Sequence, residues 1–196
     1  MKKLITLALS LLFIFAAVAC SNDRASTNTN TNNTGADKAG IEQYSTYYSD
    51  LYNQNIKPLS GYNMYTDVNT VNEAYKDKDY PGNEKYLADV KAAYKDSKEK
   101  IQLFVDGLRK DAKTDDKELN KMNQDMINQG EKLIKEIDNK LAKLDNITAK
   151  DLTKSKDDFI KLVDDTVKSE KSDVNSFSDM IKNMNKKLGI DNNTTK

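Results

Sequence analysis

Leu87, Val90, Tyr94, Ser97, Ile101, Phe104 and Leu108 follow one another at steps of three and four residues without a miss. A backbone that turns every 3.6 residues lines such positions up on one face, whereas a strand would scatter them over both. The spacing predicts a long helix with one buried seam, and nothing between Ile41 and Leu188 alternates long enough to argue for a strand. The fold class expected is therefore all-α.

The same periodicity marks out the neighbours of that helix. Ile41, Tyr44, Tyr48, Leu51 and Tyr52 form a first stripe, which Pro58 should stop. Met64, Val68, Val71 and Tyr75 form a short second one, ended at "KDKDYPGNE", where Pro81 and Gly82 signal a turn and Asn83 is placed to cap the next helix. After "KTDDKE", Asp115 and Glu118 have the spacing of a capping box. The helix they open would bury Leu119, Met122, Met126, Leu133, Ile137, Leu141 and Leu144, with Gly130 as a tolerated weak point. A last helix is expected from the cap Thr148, with Asp151 at its positive end, through Phe159, Val163, Val167, Val174, Phe177, Ile181 and Met184 to Leu188, closed by Gly189. Short connections between long helices force antiparallel neighbours. The architecture expected is an elongated antiparallel bundle of three long helices and two short N-terminal ones, over residues 41–189.

Two segments lie outside that bundle. Residues 1–19 have the layout of an export leader: Lys2 and Lys3, an apolar run broken by Ser10, then small residues before Cys20. Residues 20–40 are rich in Ser, Thr and Asn and too poor in apolar side chains to offset their ordering entropy, so they read as a flexible tether. Residues 190–196 read as a short tail.

The ending "AVAC" of the apolar run resembles the bacterial lipobox, in which the cysteine thiol receives a diacylglyceryl group and becomes the new N-terminus. Ala17 stands where that motif prefers Leu. The resemblance implies a covalent lipid on Cys20 and a membrane as the first partner of the chain, on the non-cytoplasmic side of the envelope. Two acyl chains suffice for stable anchoring where one does not. Ser21 in place of Asp after the cysteine would favour the outer membrane in a two-membrane cell; a single-membrane cell offers only its cell membrane. Ala17, Val18 and Ala19 also satisfy the small-x-small rule of ordinary leader cleavage, so secretion with a spare thiol stays open. A second likeness covers roughly residues 41–165: "GYNMY" followed by "YKDKDYPGNEKYLADVKAAYK" is similar to the pattern of the YiiG-like helical bacterial lipoproteins. It implies a bundle and an anchor and brings no catalytic residue with it.

Charge and chemistry narrow the function. The chain has 31 basic and 31 acidic residues, and removing Lys2 and Lys3 with the leader leaves a slight acidic surplus. Nucleic-acid binding, which needs a basic surplus on one face, is not expected. There is no histidine and one cysteine, which removes the commonest general base, the commonest metal ligand and the partner of a nucleophilic serine. The pairs Asp115–Asp116, Asp157–Asp158 and Asp164–Asp165 are sequence neighbours and so do not share a helix face. "DKDYPGNE" begins like a calcium loop with Asp77, Asp79 and Gly82, but Ala88 falls where the bidentate Glu belongs. No catalytic residue, no cofactor and no metal site is expected.

All ten tyrosines lie between Tyr44 and Tyr94. Tyrosine combines a large ring with a polar tip and is enriched at interfaces. The candidate binding surface is therefore the stretch holding Tyr44, Tyr47, Tyr48, Tyr52, Tyr62 and Tyr65, with an aromatic-lined cleft for a small ligand as the alternative. Both compete with a simpler role for these rings as core.

Overall fold

A computed structural model describes residues 35–61, 68–168 and 173–190. The leader, Cys20, Tyr62, Tyr65 and residues 191–196 lie outside the described residues, while residues 35–40, expected as tether, open the first helix. The regular structure among the described residues is all helical, with no strand.

Helix α1 (Gly35–Leu51) runs into a π-helical turn, Tyr52–Ile56, and then a 3-10 turn, Lys57–Gly61. The widened turn is marked by Lys57 N–H donating five residues back to Tyr52 O, while the Asn55 side chain takes the Leu51 carbonyl at 3.0 Å. The α-helix therefore ends at Leu51, ahead of Pro58, which lies inside the 3-10 turn and does not stop the winding; Leu59 beyond it is fully buried. Helix α2 (Val68–Ala74) is short and buries Val71.

Helices α3 (Asn83–Lys110) and α4 (Lys117–Asp145) form the central pair, each about 42 Å long at 1.5 Å per residue. Arg109 pairs with Glu131, Lys98 with Asp138 at 2.6 Å, and Lys91 with Asp145 at 2.8 Å. Partners climb on one helix as they fall on the other, so the two are antiparallel. Residue 116, not 115, is the N-cap of α4: the Asp116 carboxylate accepts from Glu118 N at 2.8 Å and Leu119 N at 2.9 Å. Asp116 supplies the non-helical backbone that a cap needs.

The return to α5 differs from expectation. Thr148 and Asp151 do bond each other reciprocally, with Thr148 N and Oγ1 donating to Asp151 Oδ2 at 3.0 and 2.7 Å. They close only a single 3-10 turn, Asp151–Thr153. Helix α5 (Lys156–Val167) starts one step later, on Ser155, whose hydroxyl accepts from Asp158 N and donates to Asp158 Oδ2 at 2.6 Å. Nor is the last helix continuous. Lys168 turns to ψ 130°, which ends α5, and the stripe resumes in α6 (Asp173–Leu188). Gly189, at φ 67°, closes α6 as expected, with Ile190 N–H donating to Asn185 O.

Helix α6 packs on α4, α5 sits against both α3 and α4, α1 and its π turn lie along α3, and α2 leans on α5. The core runs the length of this bundle through Tyr48, Val90, Ile101, Phe104, Met126, Ile137, Phe159, Phe177 and Ile181. At Gly130, α4 comes close to its neighbours: a Cβ there would lie 2.5 Å from Val105 Cγ2 and 3.2 Å from the Phe177 ring. It is a contact residue of the core, and its helix-weakening backbone is offset by that close approach.

Candidate functional site

Of the six tyrosines expected at a binding surface, four fall within the described residues, and three of those are core. Tyr44, Tyr48 and Tyr52 are 1%, 0% and 7% exposed. Steps of four residues put them on one face of α1 and its π turn, where their rings stack at 6.3 and 6.4 Å with interplanar angles of 14° and 8°. Phe104 meets Tyr48 edge-on at 5.9 Å and Phe177 meets Phe104 edge-on at 6.2 Å, which carries the aromatic column across α3 to α6. These rings fill the groove that the long helices leave open. They do not face solvent because the apolar stripe that positions them is the same stripe that seats α1.

A phenol taken that deep needs a partner for its hydroxyl. Tyr48 O–H donates to Asn185 Oδ1 at 3.0 Å, and Tyr44 O–H lies 3.5 Å from Asn123 Oδ1 and 3.9 Å from Met184 Sδ. Asn123 spends its amide N–H groups on the Leu108 and Ala112 carbonyls, both at 3.3 Å, where α3 runs out of partners of its own. Burial pushes the Tyr44 phenol up from its ordinary value. It raises the Tyr48 phenol well above its ordinary value too, helped by the neighbouring phenols of Tyr44 and Tyr52. Tyr52 is raised by burial as well, against the opposing bond with Asn185. All of these hydroxyls stay protonated at neutral pH, and those of Tyr44 and Tyr48 act as donors.

Tyr47, on the neighbouring face, is half-buried and hands its hydroxyl to Asp111 Oδ2 at 2.9 Å at the protein surface. Desolvation and then the Asp111 carboxylate hold its phenol above the ordinary value. Around it, Glu42, Gln43, Thr46, Asp50, Asn53 and Gln54 form the exposed side of α1 and its continuation.

At the opposite end of the bundle is a second aromatic group. Tyr75 meets Tyr80 edge-on at 5.6 Å, Tyr80 is tilted on Tyr86 at 5.9 Å, and Tyr86 meets Phe159 edge-on at 6.3 Å. Lys78 lies over the Tyr75 ring at 5.0 Å and Lys156 over Tyr80 at 5.3 Å. Asn83, expected as a cap, is instead the first residue of α3, behind Gly82 at φ 91°. Its amide donates to Leu152 O at 3.0 Å and Lys154 O at 2.8 Å, and its Oδ1 accepts from Tyr80 O–H at 3.0 Å. One side chain thus ties the turn before α3 to the turn before α5.

Asn123 and Asn185 are functional to the fold and were missed. Each sits on an apolar stripe, Asn123 four residues after Leu119 and Asn185 four after Ile181. Polar residues at seam positions were the available signal.

Two grooves open on the surface of the described residues. One, of about 410 Å³, lies between α3 and α4 over Lys95, Lys98, Gln102, Leu103, Asp138 and Leu141. The other, of about 550 Å³, lies at the start of α3 over Pro81, Asn83, Glu84, Lys85, Ala88 and Leu152. No tyrosine lines either. Among the described residues no helix is long and apolar enough to cross a membrane, and no group of three or more His, Cys, Asp or Glu is placed to hold a metal ion. No family model matches the chain, and neither the curated proteins nor the solved structures contain a match.

Proposed function

We propose that this chain is a non-enzymatic lipoprotein of the cell envelope, moored through a lipid on Cys20 and making contact with another envelope component or an external macromolecule through its N-terminal helical region. The observation that carries the reading is the junction at Cys20. An apolar run ends there on "AVAC", and the first described helix begins fifteen residues later at Gly35, after a segment with no apolar stripe. A spacer of that length spans roughly 20 Å as a flexible coil. The absence of histidine from the sequence supports a role other than acid–base or nucleophilic catalysis.

With Tyr44, Tyr48 and Tyr52 turned inward, the contact face moves to the outer side of α1, with Tyr47 at its rim. The inward tyrosines then serve that face indirectly, by holding α1 rigidly on the bundle.

The anchor is tested by Cys20→Ser. Fractionation should move the protein out of the membrane pellet, and mass spectrometry of the wild-type N-terminus should find a diacylglyceryl cysteine. A mature chain with a bare Cys20 would sink the anchor. The contact face is tested by placing a photo-cross-linker at Gln43 or Thr46 and, as a control, at Leu103 on the α3–α4 side. Equal capture at all three positions in intact cells would remove the case for α1.

A further inference from the structure

Four of the six methionines sit as two pairs, each with i, i+4 spacing: Met122 and Met126 on α4, and Met180 and Met184 on α6. Spacing of four puts both members of a pair on one face, one turn apart. The register between the two helices is set on both sides of the methionines. Glu118 pairs with Lys187 at one end, and Gly130 meets the Phe177 ring at the other. Between them, the Tyr44 hydroxyl bridges Asn123 on α4 and Met184 on α6. Counting turns along the antiparallel pair sets Met122 opposite Met184 and Met126 opposite Met180. Four thioethers therefore fall on two successive turns of one helix–helix seam.

We infer that this seam is a site for a soft monovalent cation, Cu(I) or Ag(I), held by the thioethers of Met122, Met126, Met180 and Met184. Thioether sulfur is a soft donor that selects Cu(I) and leaves Mg, Ca and Mn to oxygen ligands. The seam has an inside and a rim. Met126 and Met184 are fully buried, which supplies a dry floor, while Met122 and Met180 are half-buried and give the ion a way in. Met184 Sδ lies 3.9 Å from the Tyr44 hydroxyl, a polar contact beside the ligand of the kind that helps to place it. Leucine fills the same volume with better-defined rotamers, and the other core positions of α4, such as Leu119, Ile127, Leu133 and Ile137, are branched. A thioether also has no proton to release on binding, so the site should hold its ion with the same affinity across mildly acid and neutral pH, unlike a thiolate or imidazole site.

The test uses Ag(I), which undergoes no redox change, on the detergent-solubilised full chain carrying Cys20→Ser so that the thiol does not compete. Calorimetry and native mass spectrometry should find one tightly bound ion per chain, with affinity unchanged between about pH 5 and 8. The rim variant M122L/M180L leaves both buried methionines in place. It should weaken binding by more than the roughly 10- to 100-fold that loss of an outer-shell partner costs, with the circular dichroism spectrum unaltered. Failure of the Cys20→Ser protein to bind Ag(I), or binding as tight after M122L/M180L, overturns the site; so does an affinity that collapses on acidification.

Discussion

The two aromatic groups use one residue type in opposite ways. At the end where α1 begins, Tyr44, Tyr48 and Tyr52 stack nearly parallel, and their hydroxyls end among Asn123, Met184 and Asn185 inside the bundle. At the other end, Tyr75, Tyr80 and Tyr86 meet at steep or tilted angles, Tyr80 is half-exposed, and lysines cover the rings. Depth separates the groups at Tyr80 alone, since Tyr75 and Tyr86 are 7% and 1% exposed, as deep as Tyr52 and Tyr44. A phenol that is wholly desolvated needs a fixed amide opposite it, and that requirement dictates which residues α4 and α6 must carry. Tyr80, at the water line, also ends on an amide, Asn83 Oδ1 at 3.0 Å, and adds the Lys156 cation over its ring at 5.3 Å.

The comparison is most strongly tested at high pH. Burial raises the phenols of Tyr44 and Tyr48 above their ordinary value near 10. A group raised in the folded state stabilises fully below its unfolded pKa and loses that contribution as pH climbs toward the folded value. The protein should therefore lose stability progressively above about pH 10. Tyrosinate absorbance should show the column titrating only together with loss of helical circular dichroism; smooth titration of every tyrosine near 10 in a folded protein would refute its burial.

Truncation comes next. Tyr48→Ala should cost about 3–5 kcal/mol in urea unfolding, whereas Tyr80→Ala, removing a half-exposed ring, should cost clearly less. Equal losses would erase the distinction between the two ends. Asn185→Leu keeps the volume of the seam but strands the Tyr48 hydroxyl, at about 1–3 kcal/mol. The double variant Tyr48→Phe with Asn185→Leu should recover part of that loss, because both polar partners then go together. The smallest of these effects is expected at Lys156→Met, which removes the cation over Tyr80 for about 0.5–1 kcal/mol and should be invisible at 1 M salt if the contribution is mainly solvated charge.

Much of the fold could be read without coordinates because period alone separates helix from strand. The seam of α3 is found where it was expected, from Leu87 to Leu108, and so is the glycine stop after Leu188. Boundaries fared less well. Asp115, Asp116, Thr148 and Ser155 are all competent caps, and local spacing does not say which one the chain uses to turn a corner. The continuity expected from Phe159 to Leu188 failed for a related reason: an apolar stripe records which positions are buried, not whether the backbone between them keeps winding, and Lys168 does not. Three of the six candidate surface tyrosines, Tyr44, Tyr48 and Tyr52, turn inward, because an aromatic stripe at helical spacing suits a core and an interface equally. Only the presence of α3, Asn123 and Asn185 on the inner side distinguishes them. Asn83 was legible as a turn residue, yet its partners are carbonyls some seventy positions away, beyond any local signal.

What the amino-acid order determined by itself is the helical class, the junction at Cys20 and the exclusion of histidine chemistry, since each depends on residue type or short-range spacing. What tertiary structure alone decided is which face of α1 is hidden and which asparagines serve the buried hydroxyls. Those are pairings between distant turns, and their register is set by how whole helices fit together, a property no local stretch of chain contains.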